Sequence, residues 1–275
     1  MINAFVVVWR ESLEALLVIA VLLAWIARQG EPQRLRRGVW AGLGAGIALA
    51  AALGAATFAV QSQLQGEALE VFQAGIALAS AALVVQMVAW MRRHGAGMKR
   101  DLERRAQRSS GALGVALVTA LAVAREGAET VVFLYGIGLE REPLGALALW
   151  AGAAAGLAAA LLCAWAIARG ARRLNLRTLL RASEFMLLAV ATAMLGHGIE
   201  RLIGLDWLPT LADPAWDSSA LLDDGTGIGR VLADFAGYRA RPAGSLVIGY
   251  LLFWSAALLA LRPRTATRPT RAAAS

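Results

Sequence analysis

Two short charged motifs interrupt apolar segments of the chain and contain the residues best suited to chemistry. The first, Arg-Glu-Ser-Leu-Glu, occupies residues 10–14, and the second, Arg-Glu-Gly-Ala-Glu, occupies residues 125–129. In a helix, residues three or four apart lie on one face, so each motif presents two carboxylates beside a guanidinium. Carboxylate oxygens are hard ligands that suit hard metal ions. The motifs therefore indicate either cation binding or buried ion pairing.

We predict a cation site built from both motifs. Its predicted ligands are Glu11, Glu14, Glu126 and Glu129, and its motif arginines are Arg10 and Arg125. Four glutamates and two arginines carry a formal charge of −2, so the group lacks a cation. Two alternatives stay open, which are a structural network of Arg–Glu pairs that lock helices together and a proton relay.

Apolar segments long enough to cross a membrane surround both motifs. The chain has 275 residues, of which 59 % are hydrophobic and 17 % charged, and about 20 apolar residues span a bilayer core. We predict an all-α integral membrane protein with seven transmembrane helices and no large soluble domain. The predicted helices cover residues 2–26, 38–60, 70–91, 112–137, 144–168, 183–205 and 244–261. Charges at residues 10, 11 and 14 interrupt the first segment, so it is interpreted as a retained helix rather than a cleaved signal.

Basic residues alternate from one connection to the next. The net charge is +8, and most Lys and Arg lie in the first, third and fifth connections and in the C-terminal tail. The positive-inside rule places these segments in the cytoplasm, which predicts an outer N-terminus and an inner C-terminus. This distribution favours membrane topology over nucleic-acid binding as the reason for the positive charge. The basic stretch 98–108 is predicted to lie on the anionic inner membrane surface.

Several features recur in one order, which indicates an internal repeat. The charged motif recurs after 115 residues. The other recurring features, at an offset of 114, are Gly38 and Gly42 with Gly152 and Gly156, and Glu70 with Glu184. Since three helices are an odd number, the second copy enters the membrane from the opposite face, and both motifs then lie roughly 15 Å below the outer surface. Such repeats are common among transporters, whose sites lie at the repeat interface.

The predicted architecture is therefore an inverted 3+3 repeat plus a seventh helix. Repeat one covers about 2–91, repeat two covers about 112–205, and the seventh helix covers about 244–261. Together they form a single transmembrane domain over residues 1–262, followed by a disordered cytoplasmic tail at 263–275.

A second group of polar residues lies near the outer ends of predicted helices three and six. The candidate entrance site for cations consists of Glu67, Glu70, His197 and Glu200. A solvated helix start is an equal alternative for the first two, and Arg201 could pair with Glu200. Glu184 is predicted near the inner end, as an exit ligand or an interfacial residue. Six aspartates in the outer connection 206–242 suggest a solvated loop, with cation capture as the alternative.

These residues resemble the oxidase-dependent iron permease family. Besides the paired motifs, the third helix has Glu70 before it and ends Trp90-Met91-Arg92. The last outer segment contains Trp216-Asp217-Ser218-Ser219, Gly237-Tyr238 and Arg241-Pro242, and the likeness covers nearly the whole chain. Ser12 stands where glycine is common in the family.

The resemblance implies uptake of iron, as Fe2+ or Fe3+, across the cytoplasmic (inner) membrane. It implies that the four motif glutamates bind the metal, and that iron is the transported substrate rather than a permanently bound cofactor. It further implies a partner that oxidises iron outside the cell. That partner is a multicopper oxidase in fungi and a periplasmic cupredoxin-like or haem peroxidase-like protein in many bacteria.

Other classes of function fit the sequence less well. A carboxylate di-iron enzyme typically uses Glu-x-x-His motifs, and neither His94 nor His197 follows a glutamate at that spacing. The single cysteine, Cys163, lies in an apolar segment and is interpreted as a buried hydrophobe, so no disulfide or thiolate cluster is expected. We therefore expect a transporter with no catalytic residues. The remaining alternative is a proton-coupled transporter of another divalent metal or a small solute.

Overall fold

The computed structural model describes residues 1–29, 32–94, 104, 111–137, 143–169 and 176–261. Within these ranges the chain forms helices and no strands, which confirms the all-α prediction. The helices are α1 Ile2–Ile26, α2 Pro32–Gln63, α3 Glu67–His94, α4 Gly111–Gly136, α5 Pro143–Ala168, α6 Leu176–Gly204, α7 Gly227–Ala236 and α8 Gly244–Leu261. The predicted tail 263–275 lies outside the described residues, as does the basic stretch 98–108 apart from Arg104.

Six of the described helices are long and apolar enough to cross a membrane, so the chain is a multi-pass membrane protein. The candidate spans are Pro32–Gln63, Glu67–Arg92, Gly111–Gly136, Leu147–Ala168, Ala182–Gly204 and Gly244–Leu261. Helix α1 has 25 residues, but Arg10, Glu11 and Glu14 interrupt its apolar sequence. The seventh span at α1 and the orientation of the chain in the membrane stay predictions.

The connection 206–242 differs from the predicted loop. Residues 227–236 form α7, which begins after Thr226 and ends at Gly237, whose φ of 74° is left-handed. Glycine has no Cβ and adopts this conformation without steric cost, which lets the chain turn back at that point. The apolar side chains of this helix have the spacing of one helix face, at Ile228, Val231, Leu232 and Phe235. The aspartates and glycines around them are typical of loops, which is why the sequence predicts a loop here.

Two pairs of helices pack through glycines and run parallel to each other. A Cβ on Gly38 or Gly42 of α2 would lie 2.4 or 2.3 Å from the carbonyl oxygens of Ala112 and Ala116 on α4. In the same way, a Cβ on Gly152 or Gly156 of α5 would lie 2.3 or 2.5 Å from the carbonyl oxygens of Met1 and Phe5. Because partner numbers rise together in each pair, α2 is parallel to α4 and α5 is parallel to α1. The four glycines therefore serve close helix packing within the chain.

Helices α3 and α6 form an antiparallel pair with an ion pair near each end. The Nε of Arg92, late in α3, lies 2.8 Å from the Oε2 of Glu184, early in α6. At the opposite end, Arg201 of α6 pairs with Glu70 of α3. Between these ends an apolar core joins α1, α3, α4 and α6 through Val7, Val84, Phe133, Leu187 and Met194. This core holds the two motif helices against the α3–α6 pair.

Candidate metal site

Three carboxylates from the two motifs meet between α1 and α4. One oxygen from each of Glu11, Glu126 and Glu129 lies within 4.8 Å of the others. Glu11 is 1 % exposed and Glu126 is also buried, while the side chain of Glu129 is 18 % exposed. Three carboxylate oxygens at this separation match the hard oxygen ligands that metal ions such as iron and magnesium accept. The packing of α1 against α4 therefore brings together residues 115 positions apart in the sequence.

Each of these three carboxylates has an oxygen without a hydrogen bond. The Oε2 atoms of Glu11, Glu126 and Glu129 are buried and make none within the described part of the chain. A buried polar atom without a partner costs about 1–3 kcal/mol, and more when it is charged. The cluster is therefore short of positive charge, and a cation bound among these oxygens would remove the deficit.

The guanidinium of Arg10 is fully buried beside the cluster. Its Nη1 donates to Glu11 Oε1 over 2.8 Å, and its Nη2 pairs with Glu14. The same two nitrogens also donate to the thioether sulfurs of Met87, at 2.7 Å, and Met91. One arginine thus serves both glutamates of the first motif.

Glu14 also has a buried oxygen without a hydrogen bond, Oε1, but it differs from the other three predicted ligands in position. Its carboxylate is buried and paired with Arg10, and it is not part of the group of three. Glu14 therefore lies outside the group of three, about one turn after Glu11 on α1.

The second motif arginine is held less tightly than the first. The Nε of Arg125 donates to Glu129 Oε1 at 2.9 Å, and its side chain is 46 % exposed. Its guanidinium lies over the ring of Trp90, 5.1 Å from the ring centre. Arg125, Glu129, Trp90 and Gln86 line a half-open cavity of about 270 Å³. Two arginines in equivalent motifs thus have different environments.

A much larger cavity, which we call the vestibule, opens at the other end of the α3–α6 pair. It has a volume of about 1110 Å³ and is lined by residues from α2, α3, α4 and α6. Glu70, His197 and Glu200 of the predicted entrance site line it, whereas Glu67 is exposed at the start of α3 and does not. A hydrated ion with six waters occupies roughly 200 Å³, at about 30 Å³ per water. The vestibule therefore has room for a fully hydrated cation.

Both carboxylates of the vestibule are ion-paired. Arg201 pairs with Glu70, and Arg239 donates to Glu200 through Nε and through Nη2, the latter at 2.7 Å. Arg201 of α6 thus reaches across to α3, and Glu200 is paired with Arg239. The pairing also means that a cation at Glu70 or Glu200 competes with a guanidinium.

The floor of the vestibule is closely packed. Ser80 Oγ lies 2.7 Å from the carbonyl oxygen of Ile76 and 3.0 Å from that of Val132, and its single hydrogen can be donated to either. A Cβ on Gly136 would lie 2.4 Å from that hydroxyl oxygen. Gly136 also lines the vestibule, and Glu129 and Glu126 of the carboxylate cluster lie about two to three turns earlier on α4.

Three aspartates of the connection 206–242 have local structural roles. Asp217 accepts hydrogen bonds from the Ser219 hydroxyl and backbone N–H and pairs with Arg241 at 3.0 Å; together these lower the pKa of Asp217 to about 2. Asp223 accepts from the backbone N–H of Gly225, and Asp224 from that of Ala240. These contacts favour a folded, solvated segment over cation capture at the three positions.

Several contacts of the site have no signal in the sequence. Met87, Trp90 and Met91 lie in an apolar helix, and nothing in their spacing indicates contact with the motif arginines. Arg239 lies 39 residues from its partner Glu200. Such contacts depend on tertiary packing, which the periodicity of a single helix does not encode.

Comparison with known proteins identifies the class. The amino-acid sequence matches the model of the Iron permease FTR1 family over residues 1–271. The chain therefore belongs to the Iron permease FTR1 family, which confirms the resemblance seen in the sequence. Membership of a permease family indicates iron transport across a membrane, and a transporter rather than an enzyme.

Individual relatives cover almost the entire chain. The chain is 29 % identical over 283 residues to the ferrous iron permease EfeU of Shigella sonnei, covering 98 % of this chain and 99 % of the relative. It is 29 % identical over 277 residues to the ferrous iron permease EfeU of Yersinia pestis, covering 98 % and 97 %. An uncharacterized protein of Archaeoglobus fulgidus is 30 % identical over 287 residues, covering 99 % and 98 %. No solved structure matches the chain.

Proposed function

We propose that this protein moves iron, as Fe2+ or Fe3+, across the cytoplasmic membrane into the cell through the two Arg-Glu-x-x-Glu motifs. The carrying observation is the group formed by Glu11, Glu126 and Glu129, in which each carboxylate keeps a buried oxygen without a hydrogen bond. The ion binds to these oxygens, with Glu14 beside them and with Arg10 and Arg125 limiting the excess negative charge.

The packing of the helices supports an inverted repeat around this site. The repeat pairs α1 with α4, α2 with α5, and α3 with α6. When the helices of each pair are exchanged, the α2–α4 contact becomes the α5–α1 contact. The same exchange leaves the α3–α6 and α1–α4 contacts unchanged. The same exchange relates Glu70–Arg201 to Glu184–Arg92. Transporters built from inverted repeats bind substrate at the repeat interface, and rocking of one repeat against the other exposes the site to each face in turn.

We propose that iron passes from the vestibule to the carboxylate cluster and then towards Glu184. Because Glu70 and Glu200 are already paired with arginines, a cation is held only weakly in the vestibule. The Ser80–Gly136 contact has to separate before the ion can pass to the cluster. Coupling to an extracytoplasmic iron-oxidising partner, such as a cupredoxin-like or haem peroxidase-like protein, follows from the family resemblance and belongs to the proposal.

The test is uptake of radioactive iron by the purified protein in liposomes, with oxidation state and proton gradient varied independently. We expect iron uptake by the wild type, and loss of uptake in Glu14→Ala and in Glu129→Ala with normal insertion. Normal transport by both variants would contradict the proposed site. If the liposomes take up no iron but take up another divalent metal or a small solute when a proton gradient is present, the result would favour the alternative, a proton-coupled transporter of that substrate.

A further inference from the structure

One turn of α3 contacts both motif arginines, although α3 carries neither motif. Met87, Trp90 and Met91 have the spacing that places side chains on one face of a helix. Met87 and Met91 are buried and Trp90 is partly exposed at the edge of the 270 Å³ cavity. We call these three residues the α3 platform. The platform lies directly before Arg92, which ties the end of α3 to α6.

The two methionines of the platform take up hydrogen-bond donors of Arg10. This guanidinium has 0 % exposure, so water cannot accept from its N–H groups. Its Nη1 and Nη2 each donate to one thioether, at 2.7 Å for Met87. A thioether is a weak, uncharged acceptor, so it occupies a donor without adding to the negative charge of the site. Without the sulfurs, these donors would turn to the nearest other acceptors, which are the carboxylate oxygens.

The tryptophan of the platform contacts Arg125 through the face of its ring. A guanidinium over an indole ring is stabilised by the negative face of the ring, and here the distance to the ring centre is 5.1 Å. The Nε of Arg125 donates to Glu129 Oε1, and Glu129 Oε2 is left without a hydrogen bond. The indole thus provides a second favourable contact for a cation that would otherwise move fully onto its carboxylate.

We propose that Met87, Trp90 and Met91 are positioning residues that hold Arg10 and Arg125 away from the metal-binding oxygens and so set the affinity of the site for iron. The inference rests on the proposed function. Its structural basis is that Glu11, which is bonded to Arg10, and Glu129, which is bonded to Arg125, each keep one buried oxygen without a hydrogen bond. Removal of the platform contacts lets the arginines compete with iron for those oxygens.

The test measures anaerobic Fe2+ binding to the purified full-length protein by competition with a chromophoric chelator. We expect Trp90→Leu to raise the Kd about three- to tenfold, as the loss of one cation–π contact implies. Trp90→Phe keeps an aromatic face and should restore most of the affinity. The paired change Met87→Leu with Met91→Leu conserves volume while removing both sulfurs, and it should also raise the Kd about three- to tenfold if the two thioether contacts have similar strength. If Trp90→Leu does not fold, this methionine pair carries the test.

A double-mutant cycle separates positioning from general packing. In an Arg125→Gln background, Trp90→Leu should change the Kd by less than about twofold, because the cation that the ring holds is gone. Trp165→Leu is the matched control, since Trp165 stacks on Arg169 at 4.3 Å outside the motifs, and it should bind iron like the wild type.

Two outcomes overturn the proposal. The first is wild-type affinity in Trp90→Leu and in the methionine pair, and the second is an equal effect of Trp90→Leu with and without Arg125. A wild type that binds no iron is a different result, because it refutes the proposed function and this inference falls with it.

Discussion

The Nε of Arg92 on α3 donates to the Oε2 of Glu184 on α6 over 2.8 Å, and this ion pair closes one end of an antiparallel helix pair. The Glu184 side chain is 9 % exposed, so little water reaches its carboxylate. At the opposite end of the same two helices, the vestibule is open and the Glu70–Arg201 pair is more exposed. The described structure is therefore more open at the vestibule end than at the Glu184 end.

Breaking the Arg92–Glu184 pair should impair transport more than folding. In Glu184→Gln, Arg92 loses its carboxylate partner, and we expect iron uptake to fall several-fold while inserted protein stays near wild-type amounts. The charge swap Arg92→Glu with Glu184→Arg should recover part of the rate, since it restores an ion pair at the same position. Uptake in liposomes, normalised to inserted protein, measures both effects. A swap no better than the single variant would count against a role for the pair itself.

The carboxylate cluster predicts a separation between iron binding and iron transport. Glu126→Gln or Glu129→Gln removes a carboxylate from the group of three. We expect the Kd for iron to rise by at least about tenfold, because loss even of an outer-shell partner typically costs about 10–100-fold in metal affinity. Glu14→Gln should raise the Kd less, since Arg10 already holds that carboxylate outside the group, yet it should still slow uptake. Equal losses of binding in all three variants would show that Glu14 is an equivalent ligand.

The glycines of α2 provide a matched test of helix packing. A Cβ at Gly42 would lie 2.3 Å from the carbonyl oxygen of Ala116, whereas a Cβ at Gly44 would meet nothing within 4 Å. Overpacking of this kind typically costs about 1–3 kcal/mol, so Gly42→Ala should lower the melting temperature of the purified protein. Gly44→Ala should leave it unchanged or raise it, because alanine favours a helix by up to about 1 kcal/mol over glycine. A similar melting temperature for both variants would contradict the close approach of α2 to α4.

Much of the fold could be predicted because membrane helices are encoded locally. The apolar segments predicted α1, α3, α4, α5 and α8 to within a few residues. Helices α2 and α6 begin earlier than predicted, at Pro32 and Leu176, because their first turns are basic and polar and hydropathy detects only the apolar part of a helix. Proline suits the first turn of a helix, where its missing N–H is not needed.

The candidate site was predictable only in part for a related reason. Charges inside apolar helices identified the residues at 10–14 and 125–129, since burying them unpaired is unfavourable. The sequence contains no comparable signal for the contacts of Arg10 with Met87 and Met91, or for the placement of Trp90 beneath Arg125. These contacts depend on how α3 packs against α1 and α4. The different environments of the two arginines likewise follow from packing, because their motifs are nearly identical.

The single cysteine allows the predicted orientation of the chain to be tested. In a Cys163→Ala background, Gln73→Cys places a thiol on the lining of the vestibule and Arg36→Cys places one on the exposed first part of α2. With the N-terminus outside, a membrane-impermeant thiol reagent should label the first variant in intact cells and the second only after permeabilisation. Added iron should slow labelling of Gln73→Cys if the vestibule is the entrance, and it should leave labelling of Arg36→Cys unchanged. The opposite labelling pattern would reverse the orientation and make the vestibule an inward-facing cavity.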